Sequence, residues 1–190
     1  MIVWTEQRMG RVGRSWLVLI LIIAAVLVID QATKRIVINT MRVGESRQPI
    51  PALVPYFQIT RSENTGAAFG FLPQGGDVFL IIAVIVVSAM IYFYPRVPAQ
   101  ARLTQVAIGL ICGGALGNAL DRLEHGPVID FIHYQIPGVL SNVSNLADHA
   151  IVLGVCLIFL DSWLAERAKK HSGSPGLQNR DETTDSPFSD

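Results

Sequence analysis

The sequence predicts an α-helical integral membrane protein, four transmembrane helices carrying a small extracytoplasmic β-rich platform. Three observations predict it. Four long apolar runs punctuate the chain. Hydrophobic residues make up 51% and charged ones only 16%, below the quarter or so usual for soluble domains, with a mean hydropathy of +0.42. One long polar segment separates the first two runs and carries strand-like alternation. The 190 residues suit one domain. The net charge of zero says nothing about nucleic acid, and without a basic patch interleaved with aromatics no nucleic-acid partner is expected. Cys112 and Cys156 both fall in apolar runs, which indicates small core residues and neither a disulfide framework nor a zinc knuckle.

Met1 to Ser15 is a polar start with Arg8, Arg11 and Arg14. Trp16 to Ile29 follows without a charge. Arginines before an apolar run also fit a signal peptide, but no small-x-small cleavage pattern follows and three further runs do. A retained helix over about residues 16–34 is therefore expected. It places Asp30 and Lys34 at i,i+4 on one face, a pair that taken alone reads as decoration of the membrane surface.

The next segment, to Gly76, is too polar to cross and forms an extracytoplasmic loop over about 35–76. Tyr56 to Thr60 partly alternates like a strand, and Asn64-Thr65-Gly66 reads as a turn. Ala67 to Leu72 is apolar enough to dip into the interface. Val78 to Tyr94 is the second run, with Tyr92 and Tyr94 expected at the interface of a helix over about 77–95. A short turn with Arg96 and Arg102 leads into Leu103–Leu120, a helix over about 102–121. Its Gly113, Gly114 and Gly117 read as a packing surface. A second loop covers about 122–145, and the short run Ala150–Leu160 becomes a spanning helix over about 146–165 only with its polar flanks. Residues 167–190, rich in Ser, Pro, Gly and Asp, read as a cytoplasmic disordered tail. With four crossings, nine of the fifteen basic residues fall on the side of the termini. That bias puts both termini in the cytoplasm and the two polar loops outside.

Acidic side chains at membrane depth cost roughly 2.5–3.5 kcal/mol each, so they are rare and functional by default. Gly113 to Asp148 gathers three, Asp121, Asp130 and Asp148. Asn118, Asp121 and Arg122 share a helix face at i, i+3 and i+4. Asp130 sits inside the apolar tetrapeptide Val128-Ile129-Asp130-Phe131. Asn145 and Asp148 open the fourth helix, where N-capping and a first-turn acid are ordinary structural roles compatible with chemistry. The topology returns Asp130 and Asp148 to one end of the bundle in apolar surroundings. Two carboxylates held there share a proton, so one can activate water while the other polarises a carbonyl. That suits peptide hydrolysis at the membrane surface. Neither Ser141 nor Ser144 has an evident base or oxyanion loop. Asp130-x-x-His133 and Asp148-His149 offer metal ligands, but without an HExxH motif no metal is expected.

Five stretches carry a resemblance: Asp30-Gln-Ala-Thr-Lys34, Asn64-Thr-Gly-Ala-Ala-Phe69, the glycine-rich Gly113 to Arg122, Val128-Ile-Asp-Phe131, and Asn145-Leu-Ala-Asp148. Over roughly residues 16–165 the chain resembles bacterial lipoprotein signal peptidase, also called signal peptidase II. The resemblance implies a four-helix enzyme with an outward-facing β-cradle. It implies cleavage of diacylglyceryl-modified prolipoproteins just before the lipidated cysteine, without a cofactor. Carried over by motif, the catalytic pair is Asp130 and Asp148. Asp30, Lys34, Asn64, Gly66, Asn118, Asp121, Arg122 and Asn145 become supporting or substrate-binding residues. Asp121 is the rival for the first catalytic place, and the VxDF position decides for Asp130. Ser144 departs from the aromatic that often precedes Asn-x-Ala-Asp, and the tail after Lys170 adds nothing to the family core. The expected partners are prolipoprotein substrates and membrane lipids, the expected state a monomer. A small proton-coupled transporter, with Asp121 and Asp130 as a relay, is the alternative class.

Overall fold

A computed structural model describes residues 2–66, 76–98 and 100–172. The expectations for Ala67–Leu72 and for the tail beyond Ser172 lie outside the described residues. Four helices are long and apolar enough to cross a membrane. They are α1 (Ile2–Thr40), α2 (Gly76–Phe93), α3 (Arg102–Glu124) and α4 (Leu146–Ser172). Four strands, β1 (Ser46–Arg47), β2 (Phe57–Asn64), β3 (Val128–Ile136) and β4 (Leu140–Ser144), form one antiparallel sheet in the order β1-β2-β3-β4.

Three boundaries differ from expectation, one of them at α4, which runs on through residues 167–172 that the sequence assigns to a disordered tail. The polar start is helical from Ile2, and α1 runs on past Lys34 to Thr40. At 1.5 Å per residue α1 is about 58 Å long, more than the ~30 Å hydrocarbon thickness requires. Its last carbonyls find a cation: Arg61 donates through Nη1 to the Ile38 and Met41 oxygens at 3.0 and 2.8 Å. That ties β2 to the helix end. The β-rich platform is expected from the first loop, yet the second loop supplies β3 and β4, half of the sheet. A three-residue loop, Pro137–Val139, joins them, with Gly138 at φ +75° as such hairpins require.

The helix α3 is the centre. It packs against all three other helices. Its most apolar window is 56% buried inside the protein, against 11–17% for the others, which face lipid. This explains why α3 is also the glycine-rich and least apolar span. A Cβ at Gly113 would sit 2.7 Å from Val26 Cβ of α1, and one at Gly114 would collide with the Ala147 carbonyl of α4. Away from the sheet, Leu19, Val87, Ile108 and Cys112 form one core cluster with Tyr94. Tyr94, expected at the interface, is 3% exposed and donates its hydroxyl to the Ser15 carbonyl at 2.7 Å. Tyr92 remains exposed. At the other end Val37 of α1 and Met41 just beyond it pack on Phe131 and Ile132 of β3, which seats the sheet on the bundle.

Candidate active site

The sheet end of the bundle gathers the polar residues that the sequence singles out. The helix α3 stops there because Gly126, at φ +88°, takes the left-handed position after His125. The chain then turns straight into β3, which carries Asp130. The helix α4 begins opposite. Asn145 is its N-cap, its Oδ1 accepting the Asp148 N–H at 2.9 Å. A second unpaired N–H of that first turn, from Ala147, goes to Asp30 Oδ1 of α1 at 3.0 Å. Asp30 thus caps a helix 117 positions away in sequence.

Asp30 and Lys34 are not surface decoration, since they are 0% and 1% exposed. The Lys34 ammonium lies 2.8 Å from Asp30 Oδ2, 2.7 Å from Asp121 Oδ2 and 3.0 Å from Asn118 Oδ1. All three of its protons have acceptors, which is what a buried ammonium needs. Gln31 donates through Nε2 to Asp121 Oδ1 at 2.8 Å, and the Ile129 N–H donates to Asp121 Oδ2 at 3.1 Å. Asp121 is therefore held on both oxygens. Gln31 was not among the expected site residues. Its place three residues before Lys34 on one helix face is the signal that could have found it.

Asp130 is 2% exposed and held between two asparagines. Asn64 Nδ2 donates to its Oδ2 at 3.0 Å and Asn145 Nδ2 to its Oδ1 at 2.6 Å. Burial pushes its carboxyl up to about 6. The Asn64 hydrogen bond pulls the other way, and the negative charge of Asp148 adds to the rise. Asp148, half-buried, accepts at Oδ1 from Asn118 Nδ2 at 2.7 Å. Arg122 donates to the Asn118 carbonyl at 3.1 Å, and its guanidinium carbon stands 5.4 Å from the Phe79 ring centre. Its Nε is buried with no hydrogen-bond partner among the described residues. Gly66 donates its N–H to Asn64 Oδ1 at 3.0 Å, closing the expected turn as an Asx turn.

Asp130, Asp148, Asn64, Asn118 and Arg122 all line one cavity of about 850 Å³ between β2, β3, β4 and the helices. Phe79, Tyr134 and His149 share its wall and were not expected there. Asp121 lies in the wall of a second, smaller cavity of about 200 Å³. Two acids at one cavity, buried and fed by amide donors, can share a proton and pass it to and from a bound water.

One expectation is corrected here. Ser141 does have a histidine, with His133 Nε2 2.8 Å from its Oγ. The other ring nitrogen meets the Gln58 amide nitrogen and the Thr60 hydroxyl, each at 3.0 Å, and no carboxylate. Nothing there would stabilise an imidazolium, so the pair reads as a polar ladder across the sheet. His133 is also an odd number of positions from Asp130 along β3, which puts the two on opposite faces of the strand. Among the described residues no three His, Cys, Asp or Glu side chains group as a metal site would need.

The chain is similar to known proteins over most of its length. The family model described as Signal peptidase (SPase) II matches residues 22–164. A lipoprotein signal peptidase of Geobacillus kaustophilus is 42% identical over 139 residues, 73% of this chain and 88% of its own. One of Halothermothrix orenii is 37% identical over 147 residues, 77% of this chain and 96% of its own. A bacterial membrane enzyme structure, solved by the in meso method, superposes with a TM-score of 0.69 at 35% identity. That match covers 90% of this chain and 95% of the other.

Proposed function

Because the chain belongs to the signal peptidase II family and is a lipoprotein signal peptidase, we propose that it cuts by an aspartic mechanism with Asp130 and Asp148 as the catalytic pair. It is a bacterial membrane protease whose substrates are prolipoproteins. The scissile bond lies on the N-terminal side of the diacylglyceryl-modified cysteine. Asp148, held by the Asn118 amide, takes a proton from the attacking water. Asp130, whose burial favours the protonated form, donates to the scissile carbonyl oxygen.

One observation carries this reading. Both acids stand on the wall of the same large cavity, each fed by an asparagine amide. Asp121 is the weaker candidate, since its oxygens are taken up by Lys34, Gln31 and a backbone N–H. The same saturation leaves the transporter alternative without a movable relay at Asp121, and the family membership replaces it. The sheet end faces outward with both termini in the cytoplasm, in keeping with the basic residues near the termini. The exposed apolar faces of α1, α2 and α4 suit membrane lipids.

The test is cleavage of a purified diacylglyceryl-prolipoprotein in detergent, with a chelator present. Asp130→Asn and Asp148→Asn each lose roughly 10²–10⁴-fold in kcat. Asp121→Asn loses stability but keeps cleaving. Activity in both of the first two variants would sink the aspartic mechanism. A dead Asp121→Asn with an active Asp130→Asn would move the pair to Asp121 and Asp148.

A further inference from the structure

The two acids sit on two elements, β3 and α4, and a second pair of side chains spans the same two elements beside them. Tyr134 lies four residues along β3 from Asp130, on the same strand face. His149 follows Asp148 in α4. The Tyr134 hydroxyl is 3.3 Å from His149 Nε2, and the ring centres are 5.8 Å apart at a steep angle. The other ring nitrogen, Nδ1, is 2.6 Å from the Asn145 carbonyl oxygen. A carbonyl only accepts, so Nδ1 carries the proton. In the neutral ring Nε2 therefore offers its lone pair, and the tyrosine donates.

These contacts close a ring. Asn145 holds Asp130 through its amide and the start of α4 through its Oδ1. His149 grips the Asn145 backbone and reaches Tyr134, and β3 leads from Tyr134 back to Asp130. Tyr134 and His149 both line the large cavity.

We propose that Tyr134 and His149 are a positioning pair for the cleavage reaction, a clasp that ties β3 to α4 and sets the separation of Asp130 and Asp148. This rests on the reading of those acids as the catalytic pair and deepens it. The clasp acts through Asn145 and the two backbones. Separation matters because repulsion between two close carboxylates spreads their apparent titrations apart. The charged and titratable groups around the pair are Lys34 of α1 with Asp30 and Asp121 bound to it, Arg122 of α3 and Glu63 of β2 on the cavity wall, and the neutral imidazole of His149. The clasp links β3 to α4 through a neutral side-chain bond that one hydroxyl deletion can open.

The experiment uses the full chain in detergent and a diacylglyceryl-prolipoprotein substrate. It compares Tyr134→Phe, His149→Phe and the double variant with wild type, with Asp130→Asn and Asp148→Asn run alongside. Each single variant lowers kcat roughly three- to tenfold while KM stays within about twofold. The double variant is no slower than the slower single one, because the ring opens only once. In Tyr134→Phe, which keeps His149, the two limbs of the kcat–pH bell move toward each other as the carboxylates relax apart. Wild-type kcat and limbs in Tyr134→Phe would overturn the clasp. A raised KM with unchanged limbs would overturn it too, making the pair a substrate contact. If His149→Phe fails to fold, Tyr134→Phe decides alone. Dead Asp130→Asn and Asp148→Asn beside an unchanged Tyr134→Phe sink only the clasp. Activity in both asparagine variants sinks the acid pair and the clasp with it.

Discussion

An asparagine amide can offer a carboxylate either its oxygen or its nitrogen, and here each of three amides is turned by a contact at its far side. Asn64 Oδ1 takes the Gly66 N–H, Asn145 Oδ1 takes the Asp148 N–H, and Asn118 Oδ1 takes the Lys34 ammonium. Each therefore has only N–H to give the acid it faces. Lys34 thereby reaches Asp148 through Asn118 without touching it. At Asp130 the balance can be tested by pH. Burial raises its carboxyl to about 6, and the Asn64 N–H, which favours the ionised form, restrains the rise. If Asp130 must carry the proton, kcat/KM falls as pH rises through its pKa. Asn64→Ala removes a bond to the ionised form, so the pKa goes up and the alkaline limb moves to higher pH. A pH profile in which the alkaline limb moves down, or stays, rejects this assignment of roles. At this scale the residue types were legible, because aspartate and asparagine amid apolar sequence have few structural uses. Their orientation was not. Nor was the depth of Asp30 and Lys34, since an i,i+4 acid–base pair looks the same in sequence whether it faces water or protein.

Two elements do more than connect. Between Ile59 and Ser62, β2 advances three residues while β3 advances two, from Ile132 to Asp130. That bulge adds one residue, and in a period-two structure one residue exchanges the faces of a strand. Without it Asn64 would turn away from Asp130. The other element is α3, whose glycines differ in what they admit. A Cβ at Gly113 would press on Val26, whereas one at Gly117 would stand 2.7 Å from Asp30 Oδ2. Gly113→Ala and Gly117→Ala should each cost about 1–3 kcal/mol by overpacking, read as a lower Tm in detergent. Only Gly117→Ala should also lower kcat, because it displaces the carboxylate that caps α4 beside Asp148. Equal kcat in the two folded variants would show that Asp30 has no bearing on the site. The sequence marked all these glycines alike as packing positions, because spacing reports closeness and not the identity of what comes close.

The whole molecule is a bundle with its polar chemistry at one end, and the direction it faces can be measured. Val139, 79% exposed at the tip of the β3–β4 hairpin, and Gln100, exposed in the turn between α2 and α3, lie at opposite ends of the bundle. In a chain carrying Cys112→Ala and Cys156→Ala, a membrane-impermeant maleimide should label Val139→Cys in intact cells. It should reach Gln100→Cys only after permeabilisation. The reverse pattern would put the site in the cytoplasm. The sequence by itself determined the class, the four crossings, the polar segments between them and the residues worth testing. Partition into a membrane depends on contiguous apolar length, a property of the chain read in order. Tertiary structure alone decided that the second loop completes the sheet, that Asp30 caps α4, and which asparagine serves which acid. Those contacts join positions as far apart as 30 and 147. They depend on a bulge, a glycine gap and a buried ammonium whose effects exist only once distant segments meet.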